Sequence, residues 1–180
     1  MGNYLLLNKS TELSDLSKKL GFSKTFFLGE EIIIVKGKNK KELLREIEKN
    51  KSKIIIYKPH SEEMLRFSLE KTKVNIIYGF EDINPKDSLH YVRGGLDQVT
   101  CKIAAQNDKK IGFSFSEILN SKDRGKLMAR MRLNLKLCKK YKVDVIFSNF
   151  SVSKMEMRSK KDLDVFRRVI EKKWIYDFLI

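Results

Sequence analysis

Histidine, proline and cysteine are nearly absent from this 180-residue chain, which has two of each. Two histidines do not supply the His-rich cluster on which metal-dependent phosphoesterases of the barrel type depend, and neither His-x-His nor His-Glu-x-x-His occurs. His60, beside Pro59 at a helix entrance, reads as a surface or capping side chain, and His90 as a packed one. Cys101 and Cys138 have no Cys-x-x-Cys partner, so both read as reduced thiols in a core and a disulfide framework is excluded. No apolar run exceeds four residues, at 4–7, 32–35 and 54–57, against the roughly 20 that span a bilayer. With no signal-peptide pattern, the expectation is a cytoplasmic protein with no membrane partner. The glycine pair at 94 and 95 is not followed by Gly-Lys-Ser/Thr, which excludes a phosphate loop and leaves a tight turn. Gly-Phe-Ser-Phe-Ser at 112–116 lacks the second glycine of a nucleophile elbow.

Positive charge is plentiful. Lys and Arg number 38 against 23 Asp and Glu, a formal net charge of +15. Residues 101–180 carry 20 basic and 9 acidic side chains, so the excess lies in the C-terminal part. Such a field attracts polyanions, nucleic acid first among them, although surface charge also serves solubility alone. At 42% apolar residues the chain can bury a sizeable core.

Short β-rich runs alternate with stretches of helical period, the pattern of β-α units around a parallel sheet. Strands are expected at 3–7, 25–28, 32–35, 53–57, 74–78, 111–115 and 143–147, with 88–92 a further short candidate and seven the expected count for the sheet. Ser10, Asn39 and Ser61 stand where helix N-caps belong, and Gly21 where a C-cap belongs. The longest helix is expected over 123–141, with Leu127, Met131, Leu135 and Cys138 turned inward, and the last over 162–172. The apolar tail at 174–180 must add a strand, cap the base of the fold or meet a partner. With no linker or internal repeat, the expectation is one domain over 1–180, an imperfect α/β barrel ahead of an open doubly wound sheet. Binding groups then belong in the loops after the strands, near 58–61, 79–82, 93–95, 116–122 and 148–158.

Two basic sets stand out. Residues 122–142 carry nine basic side chains and one acid, Asp123, and Arg132, Lys136 and Lys139 share one helical face that could follow a phosphate backbone or simply be solvated. Lys154, Arg158, Lys160 and Lys161 follow the last strand, and Arg167, Arg168, Lys172 and Lys173 continue the charge. Arginine grips phosphate bidentately and stacks on bases, which directs attention to Arg158 and Arg93. Nothing in these sets reads base sequence.

The stretch IGFSFSEIL at 111–119, the basic helix with Arg124, KKYKVDVIFSN at 139–149 and KMEMRSKKDL at 154–163 together resemble archaeal ribonuclease P protein component 3. The resemblance implies a TIM-barrel-like, imperfect seven-stranded α/β barrel of the polymerase-and-histidinol-phosphatase type without its metal site. It implies a subunit of the ribonucleoprotein that cleaves the 5′ leader from precursor tRNA. The subunit would bind and stabilise the catalytic RNA, while RNA and Mg²⁺ carry the chemistry and the protein binds no cofactor and supplies no catalytic residue. Implied partners are the ribonuclease P RNA, precursor tRNA, protein component 2 in a heterotetramer, components 1 and 4, and a kink-turn-binding ribosomal-type protein. By motif position, RNA-facing residues fall at Arg93, Lys154, Arg158, Arg66 and Arg124, to which the helical reading adds Arg132 and Lys136. The helix segment DVFRRVIEKK at 164–173 is more charged than this resemblance leads one to expect. The alternative reading is an independent metal-dependent phosphoesterase on a related barrel; a third is a basic structural protein.

Overall fold

Every strand of the computed structural model, which describes residues 2–84, 86–87 and 92–171, runs parallel to its neighbours. Seven strands lie in chain order: β1 (Asn3–Asn8), β2 (Thr25–Leu28), β3 (Ile32–Val35), β4 (Ile54–Tyr57), β5 (Ile76–Tyr78), β6 (Lys110–Ser114) and β7 (Val145–Ser148). Helices α1 (Thr11–Lys19), α2 (Lys40–Lys49), α3 (Glu62–Lys71), α4 (Gln98–Gln106), α5 (Phe115–Asn120), α6 (Arg124–Lys140) and α7 (Lys160–Glu171) cover the outside. The expected caps are in place. The side chains of Ser10, Asn39 and Ser61 accept the amides of Leu13, Glu42 and Met64, and Gly21 turns the chain out of α1 at φ +87°.

One link departs from the β-α rhythm. β2 passes to β3 through three residues, Gly29 to Glu31, with a single bridge between Leu28 and Ile32 and no helix. Gly29, at φ +84°, makes this sideways step, and the carboxylate of Glu31 accepts the Phe27 amide at 3.0 Å. A second difference lies after β6. The strand expected over 111–115 ends at Ser114, whose hydroxyl caps the short helix α5 where a loop was expected. Most of the short strand candidate at 88–92, together with His90, Lys172, Lys173 and the tail at 174–180, lies outside the described residues.

Alternation along each strand divides the core in two. Outward residues such as Val35, Ile55, Tyr57, Ile77, Ile111, Phe113 and Phe147 pack under helices α2 to α7. Inward residues Leu6, Ile32, Ile56, Ile76 and Tyr78 meet one another inside the curled sheet. There Phe26, Tyr4, Phe150 and Tyr78 form a continuous stack with ring centroids 4.6, 5.7 and 5.0 Å apart. Gly112 is the inward residue of β6. A Cβ there would stand 3.0 Å from the Phe150 ring and 3.1 Å from Tyr78 Cβ, so the missing side chain leaves room for the stack.

The sheet curls until β1 meets the residues just beyond β7. Phe150 N–H donates to Tyr4 O and Leu6 N–H to Ser151 O, both at 2.9 Å, while Ser148 Oγ accepts the Tyr4 amide at 2.7 Å. Buried Asn149 donates to Asn3 Oδ1 at 3.0 Å and to Arg158 O at 3.1 Å, and its own carbonyl accepts the Ser116 amide. Phe150 holds a left-handed backbone at φ +45° to turn its ring inward. Phe150→Ala should lower the unfolding free energy by about 3–5 kcal/mol, with Phe150→Leu costing much less; urea denaturation measures both.

Candidate nucleic-acid interface

Helix N-termini and the loops that follow the strands form one rim of the barrel, and described residues in two of these loops are held by hydrogen bonds. The β7–α7 loop is pinned by Glu156. Its carboxylate accepts Ser116 Oγ at 2.5 Å, Asn120 Nδ2 at 2.9 Å and the Val152 amide at 3.0 Å. Burial opposes ionisation of Glu156, but these bonds prevail and hold its pKa below the ordinary value. On this frame the Arg158 guanidinium donates to the carbonyls of Met155 and Met157, each at 2.9 Å, and its main chain is bonded in both directions to Asn149. Lys154 pairs with Glu12 of α1, both half exposed or more. An exposed pair of this kind contributes little and is readily exchanged for a phosphate. Val152 and Met155 project beside these cations.

The second held loop carries Arg93. Its amide donates to Asp87 Oδ1 at 3.0 Å, and buried Asn134 of α6 spans the next residues, donating to Gly94 O at 2.7 Å and accepting the Leu96 amide at 3.4 Å. Gly95 sits at φ +95° with room for no Cβ, since one would stand 2.4 Å from Phe80 O. Asp87 is gripped in turn by buried Arg130, Nη2 to Oδ1 at 2.6 Å, and by Lys126 at 3.4 Å. The Arg93 amide and then Arg130 pull the Asp87 carboxyl down to about 2. Arg93 and Arg66 border one open cleft of about 630 Å³, shared with Glu62, Asn84, Asp97 and Leu133. Arg66 also lies 3.7 Å from Glu70 one turn along α3. Arg124, at the α5–α6 corner between the two loops, donates to Leu119 O at 3.0 Å.

Contacts therefore join Arg66, Arg93, Arg124, Lys154 and Arg158 along one rim, through Asp87, Lys126, α5 and Glu156. Arg132 and Lys136 lie elsewhere. They stand about 12 and 18 Å further down α6 from Arg124. Arg132 donates to the carbonyls of Val169 and Ile170 at the end of α7, and Lys139 pairs with Glu171 at 3.2 Å. This side of α6 is thus engaged with α7. Among the described residues no group of three His, Cys, Asp or Glu could hold a metal ion, and no helix is long and apolar enough to cross a membrane.

No protein-family model matches the chain. Its sequence is 31% identical to ribonuclease P protein component 3 of Methanosarcina barkeri over 108 residues, 59% of this chain and 42% of that protein. It is 25% identical to the Archaeoglobus fulgidus component 3 over 153 residues, 82% of this chain and 71% of that one. This chain is a homologue of ribonuclease P protein component 3. A chain in the cryo-EM structure of archaeal ribonuclease P with mature tRNA matches its fold with a TM-score of 0.72 at 21% identity, over 95% of this chain and 74% of that one. The TIM-barrel-like, seven-stranded reading of the component 3 homologue therefore holds. Measured against those two component 3 relatives, the chain spans from under half to about seven tenths of their length.

The sequence reading of this component 3 homologue missed the buried residues behind the rim. Arg130, one of the nine basic residues of 122–142, is only 2% exposed. Its spacing from Leu127 and that of Asn134, at three and seven residues, places both on the inward stripe, and this was the available signal. Glu81, after β5, is fully buried beneath them, its Oε1 3.4 Å from Asn134 Nδ2. Burial raises its pKa from the ordinary value to about 8. The fold keeps a proton that the unfolded chain releases near pH 4.5, so stability falls as pH rises from there to about 8 and then levels off. Glu81→Gln should therefore be more stable than the parent at pH 8, by on the order of 2–4 kcal/mol, and nearly equal to it at pH 4.5; denaturant titrations at the two values measure this.

Proposed function

We propose that the chain is a protein subunit of a ribonuclease P ribonucleoprotein, binding and stabilising the RNA that cleaves the 5′ leader from precursor tRNA. The observation that carries this reading is the similarity to component 3 proteins over as much as 88% of the chain. The rim supports it. Five of the seven cations proposed to contact RNA, Arg66, Arg93, Arg124, Lys154 and Arg158, share one rim, and two of the loops that carry them are braced by hydrogen bonds. Rigid loops present charge without the entropy cost of ordering it on binding. The interior of the barrel is filled by the stack of Phe26, Tyr4, Phe150 and Tyr78, an arrangement suited to a scaffold rather than to substrate entry. Chemistry is accordingly assigned to the RNA and its Mg²⁺. The protein partners are those of component 3: component 2 in a heterotetramer, with components 1 and 4 and a kink-turn-binding ribosomal-type protein. The cytoplasm is the proposed compartment.

Precursor tRNA cleavage by an archaeal ribonuclease P RNA at limiting Mg²⁺ tests the proposal, with and without this chain and component 2. Stimulation should require both proteins and weaken with added salt. Arg93→Ala and Arg158→Ala should each reduce RNA affinity about fivefold and lower the salt slope by about one. Absence of stimulation where an archaeal component 3 succeeds would overturn the proposal.

A further inference from the structure

The side chain that fixes the Arg93 loop comes from the protein interior. Asn134 is wholly buried on α6, and its amide group does for Gly94 and Leu96 what a neighbouring strand would do, donating to one carbonyl at 2.7 Å and accepting one amide at 3.4 Å. On the other flank Arg130, also buried, bonds both the Glu81 carbonyl and Asp87 Oδ1 at 2.6 Å, and the same oxygen accepts the Arg93 amide. The main chain of Arg93 is thereby held from both sides by two residues one turn apart on a single helix. Such placement is costly to maintain, because a buried guanidinium needs its partners in good geometry and a hydrophobic residue would pack at least as well. Gly94 fits the same scheme, since a Cβ there would stand 2.4 Å from Asn134 Oδ1 and push the loop off its clasp.

We infer that Asn134 and Arg130 are positioning residues for RNA binding: neither touches RNA, and both set the direction in which Arg93 is presented beside Arg66. The inference rests on the RNA-binding reading above. It requires that RNA affinity depend on Asn134 only through Arg93.

A double-mutant cycle on the full chain tests this, with affinity for an archaeal ribonuclease P RNA measured across a salt series. Asn134→Ala should weaken binding on the order of fivefold in the parent and leave affinity unchanged in the Arg93→Ala background. Its salt slope should fall as that of Arg93→Ala does. Gly94→Ala removes no buried polar group and should reproduce the effect, so it carries the test if thermal melting shows Asn134→Ala to be unfolded. If Asn134→Ala and Gly94→Ala weaken binding equally in both backgrounds, or not at all, the positioning role is overturned while the RNA-binding reading stands. If Arg93→Ala itself is silent although the parent binds, the positioning role again falls alone. If the parent chain shows no salt-sensitive binding, the functional reading has failed and the positioning role falls with it.

Discussion

Closure of the barrel rests on one residue that belongs to no strand. Asn149 occupies the gap between β7 and β1, joins Asn3 through its side-chain amide, and receives the Ser116 amide on its carbonyl. A curled parallel sheet of seven strands has two edges, each a row of backbone groups needing partners. Asn149 and the two residues after it provide those partners, and Phe150 drives its ring into the interior from the same point. Because Asn149 also bonds Arg158 in both directions, the frame of the fold and the placing of its most basic loop share one set of contacts. Change at this seam reaches the rim without any intervening hinge.

The large positive charge divides into two kinds of use. Some cations are structural. Lys109 caps the carbonyls of Thr72 and Val74, Arg132 those at the end of α7, and Arg130 lies buried against Asp87. Others stand at the rim with weak or exchangeable partners, as Lys154 does with Glu12. Net charge alone does not separate the two kinds. What separates them is whether the guanidinium or ammonium spends its donors on backbone carbonyls of a segment distant in sequence, as Lys109 and Arg132 do, or only on those of its own neighbourhood, as Arg124 and Arg158 do.

The strands, the caps at Ser10, Asn39 and Ser61, and the inward stripe of α6 were readable because each rests on local chemistry: period, capping and turn residues. Placement at strand ends also anticipated the loops with Arg93, Lys154 and Arg158. The parallel pairing of β2 with β3 was not readable, because Gly29 to Glu31 look like any turn between extended segments. The clasp around Arg93 escaped for a different reason. Asn134 is 40 residues from Gly94 and Arg130 is 43 from Asp87, and only packing α6 against the loop after β5 brings them together. Arg132 and Arg130 differ by two positions in one helix, yet a rotation of about 200° sends one to α7 and the other into the core.

Strand order equal to chain order has a kinetic consequence. Each pairing from β1 to β7 joins segments that follow one another, so the sheet can grow by successive short steps of low contact order. The seam is the exception, since Asn3 and Asn149 are separated by 146 residues. For a free chain, closing such a loop would cost about 4 kcal/mol of entropy, but a sheet already curled by six pairings brings its edges near each other first. Joining the two edges last is therefore the order of lowest entropy cost, and in that order the Arg158 loop acquires its shape only as the edges meet.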